Sequence, residues 1–164
     1  MLIIGLGNPG KKYQNTRHNA GYMVIDELEK QKPEGFILFK PDSFMNESGR
    51  AVKSLLRSLA SHSEAKLLSS DLIVAHDDID IPLGQFKIQK GRGAAGHKGV
   101  QSIINELKTK DFWRIRVGIC PKRGKPENVE KFVLQKFTKE EQKITKEVIE
   151  KITKKLGSSP QLSE

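Results

Sequence analysis

Short apolar runs alternate with segments of helical periodicity along most of this 164-residue chain. Runs of strand length occur at residues 1–6, 36–41, 71–78, 84–90 and 113–119. Apolar residues at helical spacing predict helices over residues 16–30, 48–60, 97–107 and 139–156. Because strands and helices take turns, the pattern predicts an α/β fold: a twisted, mixed and mainly parallel β-sheet, flanked by helices on both faces.

The length of the chain suits one globular domain, which we expect over residues 1–157, followed by a flexible tail at 158–164. Its one cysteine, Cys120, has no partner for a disulfide, which favours a reducing compartment. The N-terminus lacks the zones of a signal peptide, and no apolar run approaches about 18 residues. We therefore expect a soluble, cytoplasmic protein, and we expect it to be a monomer.

The net charge of +9 is concentrated in one part of the chain. Residues 81–125 carry eleven lysines and arginines against two acidic residues, whereas acids and bases nearly cancel elsewhere. Such a segment indicates a polyanionic partner, because each phosphate contact releases condensed counterions; solubility alone is the alternative interpretation. The cations that we expect at this contact are Lys90, Arg92, Lys98, Lys122 and Arg123.

The stretch IIGLGNPG, residues 3–10, has the G-x-G-x-x-G spacing of a dinucleotide-binding loop. That fingerprint needs a helix opening at the last glycine and an acidic residue about 20 positions on. Here KKYQNT intervenes before a helix that Thr16 would cap, and the second strand ends in lysine and proline. A cofactor loop is disfavoured. The informative residue is Asn8, held at a strand end by the following proline, unless it is an ordinary turn residue.

His18 follows this loop closely, and Asp77, Asp78 and Asp80 come at the end of the third strand. One of these carboxylates could orient the imidazole of His18 as a general base. No serine or cysteine stands out as a nucleophile, so the pair indicates direct attack by water on an activated ester. Two alternatives stay open: a surface histidine beside an Asp-rich turn, and a metal-dependent nuclease site formed by His76 with the aspartates.

Two further segments carry candidate binding residues. DSFMNESG places Phe44, Met45 and Asn46 just before a helix, where Asn46 could be the N-cap. An exposed aromatic and an exposed methionine are less typical of a cap and suit an apolar wall for a base or peptide. GRGAAGHKG opens the helix at about His97, and its backbone N–H groups could seat a phosphate beside Arg92 and Lys98; a long turn is the alternative.

Six segments follow one another along the chain: GLGNPG with Tyr13 after it, TRHNAG, FMNESG, VAHDDIDIPLG, GRGAAGHKG and RIRVGI. In order and spacing they resemble the bacterial-type peptidyl-tRNA hydrolases. The similarity covers nearly the whole chain and implies one α/β domain with a mixed sheet.

The resemblance implies hydrolysis of the ester between a peptide and the terminal ribose of tRNA, which recycles tRNA in translation, without metal or organic cofactor. By motif match His18 activates water, and Asp77 holds its imidazole in the accepting tautomer. Asn8 distinguishes N-blocked peptidyl-tRNA from free aminoacyl-tRNA, and Asn46 positions the substrate or water.

The implied partner is peptidyl-tRNA, bound by its acceptor arm and 3′ end, with Tyr13 and Phe44 lining the cleft. No membrane partner is expected. A non-catalytic RNA-binding paralogue on the same scaffold is the alternative from another class; such a protein could lose the pair of His18 and Asp77, which this chain retains.

The chain departs from the family pattern in two places. Lys98 stands where the family usually has an asparagine, and a cation cannot accept a hydrogen bond. We expect Lys98 to contact a phosphate or the developing oxyanion, and to favour neutral His18 by charge repulsion. The stretch between the first helix and FILFKP is also short, by about one β-hairpin, so the sheet edge is expected to differ.

Overall fold

The structure, a computed structural model, describes residues 1–62 and 69–158. Within them are five strands: β1 (Leu2–Gly5), β2 (Ile37–Phe39), β3 (Leu72–Pro82), β4 (Phe86–Lys90) and β5 (Trp113–Cys120). They form one sheet in the order β2, β1, β3, β5, β4. Every neighbouring pair is parallel except β4 and β5, which are antiparallel. The mixed, mainly parallel sheet predicted from the sequence is confirmed.

Helices cover both faces of this sheet. In the described residues they are α1 (Ala20–Gln31), α2 (Ser48–His62), α3 (Lys98–Leu107), α4 (Val129–Val133) and α5 (Lys139–Ser158). On one face, Val24 of α1 and Ile152 of α5 are fully buried in one apolar cluster. On the other face, Val52 of α2 and Ile103 of α3 belong to a second cluster. Burial from both sides explains the continuous apolar runs of the central strands.

Strand β3 extends four residues beyond the segment predicted to be a strand. The extension brings Asp80 into β3 and leaves Asp77 and Asp78 well inside it, which corrects the interpretation of an Asp-rich turn at the strand end. The strand continues because Ile79 and Ile81 are still buried while Asp80 between them is exposed. The register with β5 shifts after Asp78.

The helix predicted from Thr16 begins later, at Ala20. Residues Arg17–Asn19 form a 3-10 turn, and no side chain caps it. The Thr16 hydroxyl donates to the carbonyl of Tyr13 (2.7 Å) and is not the predicted N-cap. His18 consequently lies in a tight turn in front of α1, where its position depends on contacts with other elements.

The C-terminal part of the chain differs from prediction in two details. Ile144, which has the helical spacing that predicts a buried position beside Val148, is 37% exposed, because Ile149 and its neighbours form the buried face of α5. The short helix α4 was not predicted, since five residues are too few for a periodic signal. Of the predicted tail, Ser158 ends α5 and the remainder lies outside the described residues. No described helix is long and apolar enough to cross a membrane.

Helix α1 lies against β1 with almost no space between the two backbones. A Cβ atom added at Gly21 would overlap the carbonyl oxygen of Ala75 and the backbone of Leu6. The amide of Tyr22 also donates directly to the carbonyl of Leu6 (3.2 Å). This close approach brings the turn that carries His18 to the end of β1.

We expect Gly21→Ala to lower the free energy of unfolding by about 1–3 kcal/mol, because the methyl group has no room against the strands. Alanine is otherwise the better helix former, so a loss isolates the overlap. Gly157→Ala, near the end of α5 where an added Cβ meets nothing, is the matched control. Equal stability of the two variants in urea unfolding would contradict this packing.

Candidate active site

A cavity of about 560 Å³ collects side chains from several elements beyond the end of β1 and beside the C-terminal half of β3. The predicted site residues in its wall are Asn8, His18, Met45, Asn46, Asp77 and Lys98. Tyr13, Phe44, Lys90, Arg92, Lys122 and Arg123 are not among its lining residues. The polar clusters that follow different strands in the sequence thus meet in one place.

His18 and Asp77 form a buried pair at the base of this cavity. The Nδ1 atom of His18 lies 2.8 Å from Oδ1 of Asp77. Asp77 is 3% exposed and is fixed by the pairing of β3 with β5, whereas His18 comes from the turn before α1. The carboxylate therefore orients the ring and leaves Nε2 for the cavity that His18 lines.

A second histidine, His97, contacts the same carboxylate oxygen. Its Nε2 lies 2.9 Å from Oδ1 of Asp77. Its Nδ1 accepts from the amide of Val100 (3.3 Å), which makes His97 the N-cap of α3. Because Nδ1 is an acceptor there, the ring proton is assigned to Nε2, and His97 donates to Asp77. In the sequence His97 marked only a helix start, so its contact with Asp77 was not predicted.

Asp77 remains ionised in this buried place. Burial alone raises the pKa of a carboxyl group. The charges of His18 and His97 and hydrogen bonds from both rings overcome that effect and keep the pKa of Asp77 well below its ordinary value. One anionic oxygen thus accepts from two imidazoles.

Asn8 is held on three sides. Its amide donates to Oδ1 of Asn19 (2.8 Å), and Nδ2 of Asn19 donates back to the Asn8 carbonyl (3.0 Å). The side-chain oxygen of Asn8 accepts from the amide of Met45 (2.9 Å). With that oxygen engaged, the side-chain Nδ2 is the group that Asn8 offers to the cavity. Asn19, the reciprocal partner, was not singled out in the sequence.

The residues before α2 lie in two different environments. Phe44 is 52% exposed, as expected, and its ring meets that of Tyr13 edge-on at 6.4 Å. Met45 is only 5% exposed, so the prediction of an exposed methionine is wrong: its side chain belongs to the apolar cluster beneath α3. Asn46 is exposed and lies inside the 3-10 turn Met45–Glu47, which is not the N-cap position of α2.

The alternative metal-ligand set does not converge in the described part of the chain. Nδ1 of His76 donates to the backbone carbonyl of Asp77 (2.7 Å), and burial holds the pKa of His76 well below its usual value. Asp78 binds Nε of Arg116 (2.7 Å), and Asp80 binds Lys125 (3.0 Å). The one group of three ligand atoms found in those residues is His18, Asp77 and His97.

The basic segment is partly neutralised. Arg114 is buried, donates to the carbonyl of Gly93 (2.7 Å) and supports the glycine-rich loop; burial and the neighbouring Arg116 lower its pKa to about 10. Lys98 pairs with Glu130 (2.9 Å). Other predicted contacts differ in exposure: Lys90 is partly buried beside Asp111, whereas Arg92, Lys122 and Arg123 are exposed.

A carboxylate-oriented imidazole in a cavity beside the strand ends is an arrangement suited to acid–base chemistry in an α/β fold. The family model described as peptidyl-tRNA hydrolase matches residues 2–34 and 29–161. The chain belongs to the peptidyl-tRNA hydrolase family, an enzyme family.

Individual relatives agree with this assignment. The peptidyl-tRNA hydrolase of Thermodesulfovibrio yellowstonii is 43% identical over 171 residues, covering 93% of this chain and 88% of the relative. That of Aquifex aeolicus is 40% identical, covering 99% of this chain and 91% of the relative. The crystal structure of the Acinetobacter baumannii enzyme superposes with a TM-score of 0.81 at 29% identity, covering 94% of this chain and 85% of that one.

The comparisons also bear on the short stretch after the first helix. The family model matches in two pieces that overlap at residues 29–34, so the match is interrupted there. The alignment with the Thermodesulfovibrio yellowstonii protein is longer than this whole chain, which means that the relative carries residues absent here. In this structure β2, directly after that point, is an edge strand of three residues.

The assigned tautomers can be tested without an activity assay. In proton–nitrogen correlation spectra of the imidazoles, we expect the ring proton of His97 on Nε2 and that of neutral His18 on Nδ1. The His18 assignment follows from its hydrogen bond to Asp77, so Asp77→Ala should release that ring to a tautomer mixture, whereas His97, whose Nδ1 accepts from Val100, should keep its proton on Nε2. A ring proton of His97 on Nδ1 in the unmodified protein would contradict the arrangement.

Proposed function

We propose that this protein hydrolyses the ester bond of N-blocked peptidyl-tRNA, releasing free tRNA and a peptide. The observation that carries the proposal is the imidazole of His18, oriented by Asp77 and lining the same cavity as Asn8 and Asn46. The substrate is inferred from the relatives, which are peptidyl-tRNA hydrolases. The geometry of His18 and Asp77 provides a base that can activate water for the hydrolysis.

In the proposed reaction, Nε2 of His18 takes a proton from a water molecule as the water oxygen attacks the ester carbonyl. The tetrahedral intermediate then collapses, the ribose oxygen leaves, and it receives the proton from His18. The products are tRNA with a free terminal hydroxyl and a peptide with a new carboxylate. An ester needs no stronger catalyst, because a positioned base contributes roughly 10²- to 10⁴-fold.

Asn8 and Asn46 position the substrate in this proposal. Since the side-chain oxygen of Asn8 accepts from Met45, its Nδ2 is the donor left for a peptide carbonyl. A free aminoacyl-tRNA has no such carbonyl beyond the ester, so Asn8 favours the blocked substrate. Asn46, exposed at the cavity wall, orients the substrate or the attacking water.

The tRNA binds outside the cavity, with its 3′ end reaching in. Tyr13 and Phe44 offer aromatic surface on which the terminal bases can stack. Cations of the basic segment contact phosphates of the acceptor arm: Lys90, Arg92, Lys98, Lys122 and Arg123. We further infer that the protein acts as a monomer in the cytoplasm, needs no metal or organic cofactor, and recycles tRNA from aborted translation.

The decisive experiment measures release of free tRNA from an N-acetyl-aminoacyl-tRNA, with unblocked aminoacyl-tRNA as the control substrate. We expect hydrolysis of the blocked substrate only. His18→Ala should lower kcat by roughly 10²- to 10⁴-fold because the base is lost. Binding of deacylated tRNA by this variant should be unchanged.

Three results would count against the proposal. Full turnover by His18→Ala would remove the assigned base. Tight tRNA binding without any turnover in the unmodified protein would favour the RNA-binding alternative. Activity that disappears with EDTA would favour a metal-dependent enzyme.

A further inference from the structure

An ion pair crosses the mouth of the cavity. Nζ of Lys98 lies 2.9 Å from Oε1 of Glu130. Lys98 is the first residue of α3 and directly follows His97, whereas Glu130 belongs to the short helix α4. Both side chains line the cavity that contains His18. The pair thus joins two walls of the site.

This pair is poorly suited to stabilise the fold. The side chains of Lys98 and Glu130 are 61% and 78% exposed, and exposed pairs are weak and screened by salt. A cation at the first residue of α3 also faces the positive end of the helix dipole. A weak contact of this kind exchanges readily when another anion arrives.

The other lysine in the cavity wall has the same arrangement. Lys125 lies 3.0 Å from Asp80, and both side chains are about half exposed. Among the described residues that line the cavity, each lysine therefore has a carboxylate at hydrogen-bond distance. Without substrate, the positive charges at this mouth are already partnered.

We propose that Glu130 limits substrate affinity by competing with a substrate phosphate for Lys98. The inference rests on the proposed function, and it assigns to Glu130 a role opposite to that of the cavity's other polar residues. When peptidyl-tRNA binds, a phosphate near its 3′ end replaces the Glu130 carboxylate at Lys98. Glu130 is then a specificity-determining residue, since it favours ligands whose charge displaces it.

The proposal predicts an improved enzyme. Glu130→Gln should lower KM for N-acetyl-aminoacyl-tRNA by about two- to fivefold, the range expected for release of one exposed ion pair, with a smaller change in kcat. Lys98→Met should raise KM. In the Lys98→Met background, Glu130→Gln should have no further effect, because the cation for which it competes is gone.

Any Glu→Gln change makes the protein more positive and could improve tRNA binding in general. Glu106→Gln is the matched control: Glu106 pairs with Lys53 (3.1 Å) between α2 and α3 and does not line this cavity. It makes the same change in net charge, and KM should stay within error of the unmodified protein.

The results of these measurements decide whether Glu130 competes with a substrate phosphate for Lys98. The proposed competition is overturned if Glu130→Gln lowers KM by the same factor in the unmodified protein and in the Lys98→Met background. It is also overturned if Glu130→Gln lowers KM no more than Glu106→Gln does. An increased KM for Glu130→Gln would overturn it as well. So would a Lys98→Met variant in which only kcat falls, because that result would place Lys98 at the reacting carbonyl. If the unmodified protein does not hydrolyse the substrate, the proposed function fails, and dissociation constants for deacylated tRNA with the same five proteins still test the competition.

Discussion

The site depends on one carboxylate oxygen, Oδ1 of Asp77, which accepts hydrogen bonds from two imidazoles. Charges in a buried place are costly unless they are paired, and here His18 and His97 supply the pairing. Each ring is fixed in return, His18 with Nε2 toward the cavity and His97 at the start of α3. Removing this carboxylate would therefore leave the His18 ring without its orienting partner and take one of two contacts from the His97 ring.

The position of His18 also depends on contacts far from it in the sequence. The guanidinium carbon of its neighbour Arg17 lies 4.0 Å from the centre of the Phe132 ring. Nη2 of Arg17 lies 2.7 Å from Oε2 of Glu141. The Arg17 amide donates to the carbonyl of Gln135 (3.1 Å). These contacts attach the turn before α1 to the α4 and α5 region, so His18 and the wall of the cavity are held by the same cluster.

Much of this arrangement could be predicted from the sequence, for a physical reason. Strand and helix periodicities report burial, so the sheet and its two covered faces follow from the spacing of apolar residues. The pair of His18 and Asp77 was also predicted, because Asp77 lies two residues past Ala75, which pairs with Gly5 at the end of β1. The sequence therefore predicted this contact as well as the sheet.

Features that depend on single long-range contacts could not be predicted in this way. His97 reaches Asp77 only because α3 starts at that point. In the sequence, the sign of this contact was the position of His97 at a predicted helix start. Met45 is buried because α3 covers it. The polar residues around it in the sequence indicated an exposed position. The partners of Lys98 and Asp80 likewise come from the segment around α4, which has no periodic pattern of its own.

The most direct test of the account is the single-turnover rate of N-acetyl-aminoacyl-tRNA hydrolysis by Asp77→Asn. The substitution keeps the size of the side chain but removes the charge that orients both imidazoles. We expect the rate to fall roughly 10²- to 10⁴-fold while the dissociation constant for deacylated tRNA stays unchanged. Hydrolysis by Asp77→Asn at the rate of the unmodified protein would contradict the central claim that Asp77 orients the base.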